Sequence, residues 1–137
     1  MNIMVDFGIL GALRSVLQEA SVIQDKGLHG HIHLNTPPGS KYPAIVLEIE
    51  EIWTNMMLAS TGVFGRLKLK ASMLSENIGG RESIEMASLV EKAIDGKKIQ
   101  LRDGKEAIMR LEGSIIDMPN NQSPRTVQQY YQALIRG

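Results

Sequence analysis

The chain contains no cysteine in its 137 residues. That excludes disulfide staples and thiolate metal sites, and leaves the hydrophobic core to hold the fold. Aromatic residues are scarce at 4%, whereas there are eight methionines, a balance that favours adaptable packing and contact surfaces. Charge of one sign is not in excess, since 15 Lys and Arg offset 15 Asp and Glu. A balanced chain lacks the electrostatic footprint of a sequence-independent nucleic-acid binder. Sequence-specific nucleic acid is not expected as a partner either. No apolar run approaches the length needed to cross a bilayer, so no membrane partner is expected. Residues Met1 to Ala20 lack a basic flank and are broken by Asp6, unlike a signal peptide. Synthesis as a soluble protein of the cytoplasm is the expectation.

Catalytic signatures are missing as well. Ser40, Ser60, Ser72 and Ser114 stand in no Gly-x-Ser-x-Gly elbow. Gly62-Val63-Phe64-Gly65 and Gly79-Gly80 lack the Lys-Ser/Thr ending of a phosphate-cradling loop and read as turn glycines. No catalytic residue and no cofactor are assigned, and the chain is not expected to be an enzyme. One alternative stays open. His29, His31 and His33 would project from one face of a strand, and three imidazoles are a feasible ligand set for a divalent metal, so a small metal-binding or metal-dependent enzyme module is the rival reading. No cysteine or nearby carboxylate completes such a site, and the expectation is no stoichiometric metal there.

What is present is periodicity. At this length one domain over residues 1–137 is expected. Residues 6–20 read as a helix, with Asp6 as N-cap and Leu10, Leu13, Leu17 and Ala20 on one side. Ser21 to Gly27 reads as a polar connection. A short strand with Ile32 and Leu34 facing inward leads to a corner at Pro37-Pro38-Gly39 and Pro43. In the run Ala44 to Ile52, Ile45, Leu47 and Ile49 alternate with Val46, Glu48 and Glu50. In the run Val63 to Leu74, Leu67, Leu69, Ala71 and Met73 alternate with Arg66, Lys68 and Lys70. The opposite charges of the two polar faces favour pairing of these runs as a long antiparallel hairpin and disfavour slipped registers.

Residues 81–95 form the clearest helix. Met86, Leu89, Val90, Ala93 and Ile94 make a full apolar stripe, Glu82 and Glu85 lie near the start, Lys92 lies near the end, and Asp95-Gly96 is a stop. Ile99 and Leu101 suggest a short strand, Asp103-Gly104 a tight turn, and Ala107 to Ile115 another long strand. The last segment is ambiguous. Val127, Tyr130, Tyr131, Leu134 and Ile135 fit a helix capped by Ser123 with Pro124 in its first turn; Val127, Gln129, Tyr131, Ala133 and Ile135 fit a strand.

Trp53, Met56, Met57 and Leu58 are apolar residues in the polar loop expected between the hairpin strands. Apolar groups on such a loop mark a candidate partner interface.

The order of these segments resembles the phage tail-completion family, the tail terminator and head–tail joining neck proteins of long-tailed phages, prophages and gene transfer agents. The resemblance is carried by Gly11-Ala12-Leu13-Arg14-Ser15-Val16-Leu17 in the first helix, by the Tyr-Pro strand entry Lys41-Tyr42-Pro43-Ala44-Ile45-Val46-Leu47, and by the loop from Trp53-Thr54-Asn55 to Gly62. A long alternating strand, an amphipathic helix, a short strand and two closing strands follow. The Met-rich loop and the polar loop before the last segment depart from the family pattern. The resemblance implies an α+β fold, an antiparallel sheet with two α-helices packed on one face. It also implies that Arg125 to Arg136 is a strand despite its helical periodicity. Functionally it implies a virion structural protein that self-associates into a ring, typically of six. Such a ring caps the tail tube and meets the tail-tube and head-connector proteins at the head–tail junction, after synthesis in the cytoplasm of a bacterial host.

Overall fold

The computed structural model describes residues 8–35, 42–54, 63–76, 81–117 and 125–137. Helix α1 (Ile9–Glu19) is followed by the one-turn helix α2 (Ser21–Gln24), strands β1 (Ile32–Leu34), β2 (Ala44–Thr54) and β3 (Val63–Ser75), and helix α3 (Arg81–Ile94). Strand β4 (Lys98–Gln100), a 3-10 turn (Arg102–Gly104), and strands β5 (Glu106–Asp117) and β6 (Arg125–Arg136) complete the chain.

The strands form one sheet in the order β1-β2-β3-β6-β5-β4. The expectation of a purely antiparallel sheet is corrected: β1 runs parallel to β2, with Ile32 beside Ile45 and Leu34 beside Leu47. The other pairings are antiparallel. Period-two alternation is the same in both kinds of ladder, so it carries no information on direction. The two expected helices are joined by a third, because the Ser21–Gly27 connection opens with α2, which buries Ile23.

Helix α1 starts at Ile9, with Gly8 at the cap position in a left-handed conformation (φ 72°) and its carbonyl accepting the Ala12 N–H at 3.0 Å. The cap is therefore not Asp6, which lies outside the described residues. Ile9, Leu10, Leu13 and Leu17 are buried. Helix α3 follows its expected bounds and buries Ser83, Met86, Ala87, Val90, Ala93 and Ile94. It stops as Asp95-Gly96 suggested. Gly96 has φ 74°, and its N–H donates to Met109 at 2.8 Å, tying the helix end to β5.

The buried sides of the helices meet one face of the sheet in a single core that includes Ile45, Leu47, Leu67, Leu69, Met73, Met109, Tyr131 and Ile135. The hairpin pairs as its charges required, from Ala44 beside Leu74 to Thr54 beside Gly65. Strand β6 lies between β3 and β5, in the interior of the sheet. Val127, Gln129, Tyr131, Ala133 and Ile135 are all buried, the period-two set, whereas Tyr130 and Leu134 of the helical alternative are only partly covered. The strand starts at Arg125; Ser123 and Pro124, the proposed cap and first turn, lie outside the described residues.

Candidate interface on the open sheet face

Opposite the helices, the sheet presents a polar face. Across it, Glu48 pairs with Lys70, Glu51 with Lys68 and Trp53 with Arg66, and Lys70, Lys68 and Arg66 in turn flank Tyr130, Gln132 and Leu134 of β6. Apart from Phe64 near the start of β3, two residues stand outside the register, Glu50 in β2 and Glu112 in β5. Both interruptions adjoin the same cross-strand level, that of Ile49, Leu69, Tyr131 and Leu111. A bulge adds local twist and bends its strand, so two on one level deform the sheet along one line.

The Glu50 bulge decides where Trp53 points. Ile45, Leu47 and Ile49 face the core at odd positions, and an unbroken alternation would send Glu51 and Trp53 inward. With Glu50 extruded, Ile52 takes the inward position opposite Leu67, and Trp53 turns outward opposite Arg66. The expected charge pattern shifts with it: Glu51, not Glu50, lies opposite Lys68. Glu50 instead reaches Lys70 at 3.4 Å, next to Glu48 at 3.8 Å. Pairs this exposed contribute up to about 1 kcal/mol each and act chiefly on register.

Trp53 was expected in a loop but belongs to β2, and 37% of its surface is exposed. The Arg66 guanidinium lies 4.8 Å from its ring centroid, and the Lys68 ammonium lies 5.5 Å from that of Tyr130. Such cation–π contacts are worth about 0.5–1 kcal/mol at exposed sites. A hollow of about 390 Å³ opens among Glu51, Trp53, Arg66, Lys68, Glu112 and Gln132. A second of about 450 Å³ shares Lys68 and Glu112 with it and extends to Tyr130 and Ile115. The remaining candidate interface residues, Met56, Met57 and Leu58, lie outside the described residues.

The three histidines do not share a strand. His29 sits in a turn and His31 precedes β1, its N–H donating to Leu28 at 2.9 Å and its carbonyl accepting from Ile45 at 2.9 Å; His33 alone is within the strand. Among the described residues, no three His, Cys, Asp or Glu side chains group as metal ligands.

Sequence reasoning did not single out two features. The first is a buried polar chain under α3. The Tyr131 hydroxyl donates to Gln129 at 2.9 Å, and the Gln129 amide donates to the Ala87 carbonyl at 2.9 Å. Burial, with the Glu91 and Asp95 charges, pushes the Tyr131 phenol well above its ordinary range. A Gln on the apolar side of a period-two strand was the available signal. The second is the pair Ile115 and Ile116, each 53% exposed. Consecutive isoleucines in an alternating strand must place one on each face. At the rim of the sheet, Arg136 donates to Glu106 at 2.8 Å, and this bond holds the Glu106 carboxyl below its usual range.

This architecture has a counterpart among solved structures. Over 99% of this chain and 100% of its own length, a chain from the virion of a native gene transfer agent particle superposes with a TM-score of 0.78 at 14% sequence identity. The two chains share one fold. No protein-family model and no curated protein matches the sequence.

Proposed function

We propose that the chain is a structural protein of a phage-like virion, acting as one domain without catalysis. In this reading it closes as a ring, typically of six copies, on the end of the tail tube and joins the tail to the head connector at the head–tail junction. The observation that carries the proposal is the end-to-end fold likeness to a gene transfer agent virion chain. The order of segments in the sequence supports it independently, through its resemblance to tail-completion proteins. The polar sheet face, with Trp53 beside Arg66, and the Met56-Met57-Leu58 stretch are the surfaces assigned to the tail-tube and connector proteins. The rival metal-enzyme reading loses its geometric premise, because His29 and His31 lie outside β1.

The test is genetic. Deleting the chain from the producing phage or particle-forming cell should leave separate filled heads and unjoined or overlong tails under the electron microscope. Normal particle yield from the deletion overturns the proposal. Trp53→Ser addresses the surface alone: loss of an aromatic anchor costs about 1–3 kcal/mol of partner binding while the subunit stays folded. Normal yield from that variant removes Trp53 from the interface and leaves the rest standing.

A further inference from the structure

The two edges of the sheet have complementary steps. On one edge, β1 lies beside Ile45–Leu47, and among the described residues no strand lies beside Glu48–Thr54. On the other, β4 lies beside Glu106–Ile108, and among the described residues no strand lies beside Leu111–Asp117. The registers place these features at matching heights. Ile45 is level with Met73, Val127 and Ile116; Leu47 is level with Ala71, Gln129 and Ser114. β1 is thus level with the uncovered part of β5. Trp53 is level with Arg66, Leu134, Ile108 and Lys98, and Thr54 with Gly65, Ile135, Ala107 and Ile99, so the first two residues of β4 are level with the end of the uncovered part of β2.

We infer that these edges are the two halves of a head-to-tail contact between copies of this chain, with β1 of one copy lying against Ser114–Ile116 of the next and β4 of that next copy lying against the upper part of β2. The inference rests on the self-association in the proposed function and names the surface that performs it. Each gap is one strand wide when the copies stand in the same orientation. Strand directions are compatible: β5 runs opposite to β1, giving an antiparallel join, and β4 runs with β2, giving a parallel one. Faces agree as well. Ile32 and Ile116 share the level of Ile45 on the helix-covered side, while His33 and Ile115 share the level of Val46 on the open side.

Two observations identify the occupant as a second copy. Exposed isoleucines are concentrated at the step, where Ile115 and Ile116 have no cover of their own. Where β4 would meet the upper part of β2, the exposed charges are also of opposite sign, Glu50 and Glu51 on β2 against Lys97 and Lys98 at β4, although Glu112 on β5 is exposed too. Charged edges usually prevent sheet-to-sheet association. Here they repel like edges and attract unlike ones, which selects a head-to-tail contact over a two-fold one. Such a heterologous contact generates a ring when its rotation closes.

The absence of native cysteine makes the test direct. His33→Cys and Ile115→Cys are prepared as separate full-length proteins, each with a single thiol, mixed at high concentration and oxidised. The mixed disulfide dimer should exceed either like-with-like dimer by about tenfold, equivalent to about 1.4 kcal/mol of preference. Adding Glu51→Lys to the first protein should remove the preference, and adding Lys98→Glu to the second should restore it. Thermal melts matching the parent chain confirm that each variant is folded. A random distribution, in which the mixed dimer is only twice as abundant as either like-with-like dimer, or no rescue by the charge exchange, overturns the inference. The outcomes separate from those of the proposed function: particles that depend on the chain without a favoured mixed dimer reject only the edge contact, whereas a favoured mixed dimer with normal particles from the deletion rejects only the virion role.

Discussion

The carboxylate of Asp95 accepts the backbone N–H of Leu111 at 2.8 Å, where β5 passes beyond the reach of β4. Two residues earlier, the Met109 N–H donates to Lys97 at 2.9 Å and its carbonyl accepts from Gly96. Asp95 therefore extends the ladder by one bond with a side chain, at the start of the uncovered edge. Asp95→Ala should lower stability by about 1 kcal/mol, the typical net worth of one hydrogen bond. Urea unfolding measures this directly. An unchanged midpoint would show that water replaces the carboxylate without cost.

Gln129 links the sheet to α3 through Ala87 and also receives the Tyr131 hydroxyl. Gln129→Leu keeps the bulk but strands a buried phenol, and should cost about 1–3 kcal/mol. Adding Tyr131→Phe removes the stranded hydroxyl, so the double variant should be more stable than Gln129→Leu alone. Strict additivity in the double-mutant cycle would contradict the coupling.

Tyr131 also predicts an alkaline limit. Its folded pKa is raised by burial, so its contribution is complete below the unfolded tyrosine value of about 10. Above that pH the unfolded chain releases a proton that the folded chain keeps, and stability falls as pH rises toward the folded pKa. The phenolate absorbance of Tyr131, assigned by comparison with Tyr131→Phe, should appear together with the unfolding transition. Its appearance in a still-folded chain at ordinary tyrosine pH would refute the buried geometry.

Glu106 works in the opposite direction. The Arg136 hydrogen bond lowers its folded pKa, so the associated stability is present above the unfolded glutamate value and is lost as pH falls through the folded one. In Arg136→Gln, the Glu106 titration midpoint followed by NMR should move upward. A fixed midpoint would mean that Lys98 and Gln100, the lesser contributors, maintain the shift instead.

Gly96 holds φ 74° at the end of α3, a conformation in which an L side chain is strained. A Cβ there would meet no atom within 4 Å, so the cost of Gly96→Ala is conformational, about 1 kcal/mol, without a steric term. A melting temperature equal to the parent's would show that the turn relaxes to another conformation.

The sequence alone determined the elements whose signals are local. The apolar stripe from Met86 to Ile94 and the Asp95-Gly96 stop specify α3, because helix periodicity and a left-handed terminus are properties of a few consecutive residues. Opposed charge at Glu48 and Lys70 specified the hairpin partner, since complementarity is readable in two strands at once. A break in alternation between Ile49 and Ile52 was also present in the sequence, as the trace of the Glu50 bulge that turns Trp53 outward. Tertiary structure decided the rest. Arg125–Arg136 is a strand because β3 and β5 supply partners on both sides, outweighing a helical pattern. The direction of β1 and the matching heights of the two sheet edges belong to no local pattern. They arise only when registers accumulate across the whole sheet, and that sum places β1 level with Ile115 and Ile116 at the opposite edge.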